Sequence, residues 1–467
     1  FNKAHLRQLR QQAEDLFDHG WDNYFKHAFP LDELKPLSCI GLGPDPDPSN
    51  IGINDVLGGY ALTLIDSLDM LPLMNRQDEF AYYIQLIEDT VSFNVSSTIQ
   101  VFEVTIRVIG GLLSGHIYAS SPRHGHAIEG YNGHLLKLAY DLAKRLLPAF
   151  DTPSGIPHPR VNLMHGVIPI DGHYITETCS SGAGSLLLEF GLLSKLTGDL
   201  IFEKVAKRAF MALWQRRSPL GLIGMSIDSQ SGEWQSSMTG VGASIDSYYE
   251  YAIKAYAVSG DRDYFSIFNT MDTALSKYSY DGWLYKSIDF YRGTVVTGWI
   301  DSLAAFYPIV NVLSGDISRA VSTHLVYWKL WNTYAGIPER WNFVDLEWYP
   351  LRPEFIESNY YLYTVTRDPF FLQVGVQVMN DLVSRNKVKC GFAGVQDVRT
   401  GKLSNRMESF YLSETVKYLY LLFDFALGED GVNFGIKNKG IWSSDNFVFS
   451  TEGHPLWYDN STIKSCH

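Results

Sequence analysis

Two oppositely charged residues stand one helical turn apart in an apolar stretch of the sequence. Glu103 and Arg107 lie in VFEVTIRVIGGLLSG, residues 101–115, where apolar residues recur at helical spacing. One interpretation is an ordinary salt bridge on a solvated helix edge. The other is that Glu103 is held in a pocket, where desolvation raises its pKa so that it can donate a proton near neutral pH.

Further carboxylates occur where an amphipathic helix does not need them. Asp246 and Glu250 are one turn apart in GASIDSYYE, and Glu414 lies in an almost wholly apolar helix. Glu354 and Glu357 follow Pro353 at i,i+3 spacing in LRPEFIES. Two like charges at this spacing repel and destabilise a helix unless cations are near, so this pair favours a functional role.

The full set of acids suits the hydrolysis of a neutral polyol in a funnel. Asp66, Asp69 and Glu339 extend the set, and Arg107 and Arg352 could orient it. Glycoside hydrolysis requires a protonated and an ionised carboxyl across the scissile bond, about 6.5–9.5 Å apart for inversion and about 5–5.5 Å for retention. The surplus acids also fit a hard cation such as Ca²⁺, whose ligands are oxygens.

Other chemistries have weaker support. His124 and His126 have no HExxH helix and no third ligand at suitable spacing, so loop histidines are the simpler interpretation. No GxSxG occurs between a strand and a helix, and no glycine-rich phosphate loop precedes Lys-Ser/Thr. A net charge of −13 and a pI near 5.4 disfavour a nucleic-acid or anionic-membrane surface.

The elements that carry these residues are predicted to be helices almost throughout. Short strands are predicted only at 166–170, 221–227 and 447–450. Long helices between Gly/Pro turns predict an all-α fold of helical hairpins, and the lack of a strict 34- or 40-residue repeat favours a closed toroid. The predicted helices are 3–29, 60–74, 78–90, 98–119, 132–148, 182–197, 199–216, 244–259, 264–278, 298–313, 317–334, 353–365, 369–386 and 407–427.

Size and composition favour one large domain. The 467 residues would allow two or three domains, but no linker or low-complexity run divides them, so we expect a single domain over 1–467. The 46% hydrophobic share suffices for a sizeable core, and the 14% aromatic share suits both a core and stacking on sugar faces. No apolar run approaches the roughly 18 residues that span a bilayer.

Cysteines and glycosylation sequons bear on the compartment. Cys39, Cys179, Cys390 and Cys466 show no CxxC or zinc spacing, so a disulfide, a buried thiol and a free thiol remain open for each. The sequons NVS at Asn94 and NST at Asn460 are compatible with a secreted glycoprotein.

In these same stretches the sequence resembles the α-1,2-mannosidases of glycoside hydrolase family 47. The matching segments run from about Leu62 to Pro455 and include LTLIDSLDML, VFEVTIRVIGGLLSG, GASIDSYYEYAIKAY, AGIPERWNF, LRPEFIES, MESFYLSETVKYLYLLF and FSTEGHPL. The resemblance implies an (αα)₇ barrel of two concentric helix rings, with a small β-hairpin region closing one end. It also implies inverting, Ca²⁺-dependent removal of terminal α-1,2-linked mannose from high-mannose N-glycans.

The same resemblance assigns roles to individual residues. Glu103 or Asp246 would protonate the leaving oxygen, and Glu354 would be the general base that activates water. Thr451 would be the only direct protein ligand of Ca²⁺, through its carbonyl and hydroxyl. The residues that would line the sugar and the water shell are Arg107, Arg352, Phe410, Glu250, Glu339, Glu357, Glu414 and Asp66 or Asp69.

Within the family, the closer likeness is to the ER degradation-enhancing α-mannosidase-like branch. It is carried by PLSC at 36–39, TCSSG at 178–182, WIDSL at 299–303 and CGFAGVQDVR at 390–399. Ser302 stands where the ER and Golgi processing enzymes carry a His. Ser244 stands where the ER processing enzyme carries an Arg. Both differences affect the expected glycan-branch preference and rate.

This branch implies a setting and partners. It implies a disulfide between Cys39 and Cys390, a place in the endoplasmic reticulum lumen, and misfolded glycoproteins as substrates for ER-associated degradation. A protein disulfide isomerase-like oxidoreductase is an expected partner, although no motif for it occurs here. The alternative function is a lectin-like module that binds the same glycan with little or no hydrolysis, and the complete set of Glu103, Asp246 and Glu354 favours the enzyme.

Overall fold

Two sets of helices alternate along the chain in a computed structural model that describes residues 1–342, 348–432 and 447–458. Helices of the first set are amphipathic, with one face buried and the other in solvent, which is the pattern of an outer layer. The first set comprises Lys3–His27, Gln77–Thr90, His134–Leu146, Ile201–Gln215, Arg262–Tyr278, Ile317–Tyr334 and Pro369–Asp381.

Helices of the second set are buried on nearly all sides, as expected for an inner layer. Some of them contain short breaks or π-helical turns, which are frequent at functional sites. The second set comprises Leu62–Asp66 with Met70–Leu73, Val101–Val104 with Thr105–Ile109 and Gly110–Ser120, Ser180–Gly184 with Leu187–Thr197, Asp246–Ser259, Leu303–Phe306 with Tyr307–Ser314, Glu354–Thr366, and Tyr411–Val416 with Lys417–Ala426.

The inner helices form a closed ring. Each contacts the next inner helix in the chain, and Tyr411–Val416 returns to contact Leu62–Asp66. Each outer helix packs against an inner one, and Lys3–His27 completes the outer ring against Lys417–Ala426. Within the described ranges the two sets hold seven members each, so the predicted (αα)₇ barrel is confirmed.

Gly-Asp pairs make several of the turns from the inner to the outer ring. Gly198, Gly260 and Gly315 end their inner helices with φ of 76°, 71° and 89°, values that favour glycine. The next residue is an aspartate in each case, and Asp261 and Asp316 accept hydrogen bonds from backbone N–H groups in the first turn of the following helix. The sequence therefore ends an inner helix at the glycine and starts the next outer helix shortly after the aspartate.

Short antiparallel strands lie between the helices. The pair Phe447–Phe449 and Pro455–Trp457 is wholly buried and packs against inner helices, so it closes one end of the ring. The other pairs are Glu33–Lys35 with Ile40–Leu42, Thr98–Gln100 with Arg160–Asn162, Glu177–Cys179 with Ser226–Asp228, Met238–Thr239 with Ser287–Asp289 and Val295–Thr297, Ile300–Asp301 with Arg340–Trp341, Lys387–Val388 with Gly391–Phe392, and Val395–Asp397 with Lys402–Leu403.

Some sequence predictions need correction. No strand runs through 166–170, where only isolated bridges occur, and the strand expected at 221–227 is Ser226–Asp228. The helix expected from residue 298 starts at Leu303, because Ile300 and Asp301 pair with Trp341 and Arg340 instead. These stretches are short and apolar, so their periodicity does not separate helix from strand.

Cys39 and Cys390 form a disulfide across a sequence separation of 351 residues, in agreement with the resemblance. Cys179 is the free cysteine among the described residues. Asn94 is exposed, which suits a sequon, whereas Asn460 and Cys466 lie outside the described ranges. None of the helices in those ranges is long and apolar enough to span a bilayer.

Candidate active site

The inner ring surrounds a cavity of about 240 Å³ that opens to solvent. Helices from distant parts of the chain supply its wall, so residues that are far apart in sequence face one space. All three predicted catalytic acids are among them. The predicted site residues that line the cavity are Glu103, Arg107, Asp246, Glu250, Arg352, Glu354, Glu357, Phe410, Glu414 and Thr451.

Asp66 and Glu339 are not among the residues that line the cavity, and their place beside the sugar stays a prediction. Asp66 is fully buried and accepts hydrogen bonds from Ser409 and Ser413. Glu339 accepts a hydrogen bond of 2.6 Å from Nε of Arg352. Both acids satisfy polar partners, Asp66 within the core and Glu339 at Arg352 of the cavity wall, because a buried donor without an acceptor would be costly.

Glu103 and Arg107 form the predicted ion pair, and the pair is part of the cavity wall. Arg107 Nε donates to Glu103 Oε2 at 2.8 Å. Arg107 is itself buried and lies in the π-helical turn Thr105–Ile109. The salt bridge therefore lies in the cavity wall, and the guanidinium orients the carboxylate of Glu103.

Asp246 begins its helix and is held from two sides. Its Oδ1 accepts hydrogen bonds of 2.7 Å from Ser181 Oγ and from the N–H of Ser247. Burial raises the pKa of Asp246 to about 7, and Asp301 and Glu250 add to this increase. The helix expected from residue 244 thus starts at Asp246, after Ile245, and Ser244 has a φ of 76°.

Glu354 is the first residue of its helix, directly after Pro353. Burial raises the pKa of Glu354 to about 8; the guanidinium of Arg352 opposes the shift, and the charges of Glu339 and Asp246 reinforce it. The Oε2 atom of Glu354 is buried and has no hydrogen-bond partner in the described part of the chain. Such an atom is available to a water or a ligand.

Several more acids crowd the floor of the cavity. Burial raises the pKa values of Glu357, Glu414 and Glu452, and repulsion from neighbouring carboxylates adds to the effect. Glu452 was not predicted as a site residue, although it directly follows Thr451 in FSTEGHPL. Glu452 is an acid between two apolar strands, and Glu103 was recognised in the same way, as a charge in an apolar stretch.

Phe410 presents the aromatic face that the sequence predicted. The guanidinium carbons of Arg107 and Arg352 each lie 5.5 Å from its ring centroid. This distance is within the range of cation–π contacts, so the two arginines fix the ring in the cavity wall. An aromatic face of this kind suits the apolar face of a sugar ring.

The oxygen donors that line the cavity together with Thr451 fit a hard cation. The buried Oε2 atoms of Glu354 and Glu414 have no hydrogen-bond partner among the described residues. No three His, Cys, Asp or Glu side chains in the described ranges converge as a direct ligand set. Ca²⁺ takes six to eight oxygen ligands, including carbonyls and waters, so an ion here would be bound mainly through water and ligand hydroxyls beside Thr451.

The fold is an (αα)₇ barrel around an acid-lined cavity. The sequence profile of glycosyl hydrolase family 47 matches residues 16–458, and the chain belongs to this family. An alpha-1,2-mannosidase from Trichoderma reesei has a similar structure, with a TM-score of 0.80, 25% identity, and coverage of 97% of this chain and 99% of that one.

Two relatives carry related names. The chain is 45% identical to ER degradation-enhancing alpha-mannosidase-like protein 1 of Schizosaccharomyces pombe, over 99% of this chain and 58% of the relative. It is 40% identical to ER degradation-enhancing alpha-mannosidase-like protein 2 of Homo sapiens, over 98% of this chain and 78% of the relative. The chain thus spans less than two thirds of the length of the fission yeast relative.

Proposed function

We propose that this protein removes terminal α-1,2-linked mannose from high-mannose N-glycans by inverting, Ca²⁺-dependent hydrolysis. The observation that carries the proposal is that Glu103, Asp246 and Glu354 face one cavity together with the aromatic ring of Phe410. A lectin-like module would need the aromatic face and hydrogen-bonding groups, but not a complete acid/base set. The geometry therefore supports an enzyme better than a binding module.

The proposed mechanism uses each carboxyl for one task. Glu354 accepts a proton from the attacking water, and Glu103 or Asp246 donates a proton to the leaving oxygen. Arg107 and Arg352 orient these acids, and Phe410 holds the sugar ring. Bound beside Thr451, Ca²⁺ would supply a fixed positive charge that binds sugar hydroxyls and favours ionised carboxylates.

The setting is proposed from the relatives and from the cysteines. Two similar proteins are named as ER degradation-enhancing, so we place this chain in the endoplasmic reticulum lumen, acting on misfolded glycoproteins. The disulfide between Cys39 and Cys390 and the exposed sequon at Asn94 suit an oxidising secretory compartment. A protein disulfide isomerase-like partner stays a prediction.

One assay tests the function. Purified protein is incubated with Man₉ glycan in Ca²⁺ or in excess chelator, and released mannose is followed by NMR. We expect release only with Ca²⁺, with the β-anomer appearing first because inversion of an α-linkage produces it. Glycan binding without release would leave only the lectin function, whereas α-mannose as the first product would refute inversion.

A further inference from the structure

The residues that carry Thr451 form a tight turn in the buried hairpin. Residues 450–454 connect the strands Phe447–Phe449 and Pro455–Trp457, and residues 450–453 form the turn itself. Within the turn, the N–H of Gly453 donates to the carbonyl of Ser450 at 3.1 Å. Thr451 and Glu452 line the cavity, so the position of this turn determines where their oxygens lie.

A buried lysine holds the start of the turn. Lys254 is fully buried in the inner helix Asp246–Ser259, and its Nζ donates to the carbonyl of Phe449 at 2.6 Å. The same ammonium pairs with Glu250, one turn earlier. Burying an ammonium is strongly unfavourable unless it is paired and hydrogen-bonded, so this lysine stays buried only with both partners in place.

A second buried lysine holds the end of the turn. Lys417, at the start of the inner helix Lys417–Ala426, donates to the carbonyl of Gly453 at 2.8 Å and pairs with Asp69 at 2.8 Å. The following residue, His454, lies 2.8 Å from Asp69 and 3.1 Å from Asp66 through its two ring nitrogens. The end of the turn is therefore fixed through both its backbone and a side chain.

A tyrosine holds the middle of the turn. The N–H of Thr451 donates to the hydroxyl of Tyr251 at 3.3 Å, and that hydroxyl donates to Oε1 of Glu189 at 2.6 Å. Tyr251 and Glu189 are both fully buried. Glu189 thus orients the hydroxyl so that an oxygen lone pair faces the Thr451 amide.

We propose that Lys254, Tyr251 and Lys417 are positioning residues that fix residues 450–453 and aim the oxygens of Thr451 at a divalent cation. These three inner-ring side chains bind the turn's backbone in chain order: Lys254 just before it, Tyr251 within it and Lys417 at its end. None of the three lines the cavity. Groups behind the ligands of a metal commonly set its affinity, with losses of about 10- to 100-fold on mutation. This proposal rests on the cation in the proposed function.

The test variant is Tyr251→Phe, because it removes one hydroxyl and leaves the buried ion pairs intact. The matched control is Tyr248→Phe on the same helix, whose hydroxyl donates to the carbonyl of Phe210 away from the turn. Ca²⁺ binding is measured by isothermal titration calorimetry, and amide exchange over residues 447–457 by mass spectrometry. Mannose release is measured over a range of Ca²⁺ concentrations.

We expect Tyr251→Phe to weaken Ca²⁺ binding about 10-fold and to speed amide exchange at the turn. Its rate of mannose release should recover at saturating Ca²⁺. Tyr248→Phe should match the wild type in all three measurements. Unchanged affinity and exchange in Tyr251→Phe would overturn the proposal and leave the hydrolase function standing. If Tyr251→Phe binds Ca²⁺ more weakly and the wild type releases no mannose, the positioning role would be supported and the hydrolase function refuted. A wild type that binds no Ca²⁺ would refute both.

Discussion

Nη1 of Arg107 lies 2.6 Å from Oε1 of Glu452, although the two residues are 345 positions apart. The same guanidinium donates through Nε to Glu103. Arg107 thereby couples the candidate acid on one inner helix to the turn that carries Thr451. Both residues are buried, so water screens this charge-assisted hydrogen bond little, and loss of either partner would leave the other charge unpaired in the core.

We predict that Glu452→Gln reduces both stability and activity. The amide keeps the shape and an acceptor oxygen but removes the charge that balances Arg107, so the free energy of unfolding should fall by about 1–3 kcal/mol. Mannose release should fall about 10-fold, because Glu103 is oriented by the same guanidinium. Thermal unfolding and the release assay measure the two effects.

The control for this change is Glu129→Gln, since Glu129 is exposed. It should leave both quantities unchanged. Equal behaviour of the two variants would contradict the coupling role of Arg107.

We predict that Glu354→Gln abolishes turnover while glycan binding persists. The amide cannot accept the proton of the attacking water, and loss of a general base lowers rates by about 10²–10⁴-fold. Single-turnover mannose release and calorimetric glycan binding separate the chemical step from affinity. Exposed Glu233 provides the matched Glu233→Gln control. Unchanged turnover in Glu354→Gln would rule out the base role.

We predict that His454 makes the protein less stable at high pH. Burial alone would lower its pKa, but the carboxylates of Asp69 and Asp66 outweigh burial and the repulsion of Lys417, and raise the pKa to about 9. A group whose pKa rises on folding stabilises the protein fully below its unfolded pKa, about 6.5 for histidine, and this contribution is lost as the pH rises through 9. Its full size is of the order of 3 kcal/mol.

Denaturant unfolding at pH 6.5, 8 and 9.5 tests this expectation. The wild type should lose stability relative to His454→Gln as the pH rises, since the variant has no imidazolium to lose. A constant difference between the two proteins across this range would show that His454 does not titrate as its surroundings indicate.

We predict that loss of the Cys39–Cys390 disulfide lowers the free energy of unfolding by roughly 2–5 kcal/mol. The bond closes a long loop and so restricts the unfolded chain. The double variant Cys39→Ala/Cys390→Ala should unfold at a lower denaturant concentration than the wild type. Dithiothreitol should destabilise the wild type and leave the double variant unaffected, and equal sensitivity would contradict the prediction.

Much of the site could be predicted because its acids violate the local pattern. Glu103, Glu250 and Glu414 sit in helices that are otherwise apolar, and an inner helix tolerates such a charge only where it faces a cavity or has a buried polar partner. The helices themselves could be predicted from periodicity and from Gly-Asp turns such as Gly260 and Asp261. The ring order and the hairpin closing one end came from the family resemblance.

The rest depends on partners that are remote in sequence. Asp66 and Glu339 were predicted to line the sugar, but Asp66 is bonded to Ser409 within the core and Glu339 to Arg352. In the sequence Lys254 resembles any lysine of a helix. Its contact with the carbonyl of Phe449 can be recognised only from the structure. The left-handed conformation of Ser244 likewise follows from the backbone around Asp246 and not from local propensity.

The closure of the inner ring has a consequence for biosynthesis. The first and last inner helices touch each other, and the hairpin with Thr451 comes after both. During synthesis the chain therefore contains Glu103 and Asp246 long before it contains the residues that complete their surroundings. The proposed hydrolysis therefore requires nearly all of this domain to be synthesised and folded first, because Thr451 joins the cavity wall only with the last hairpin.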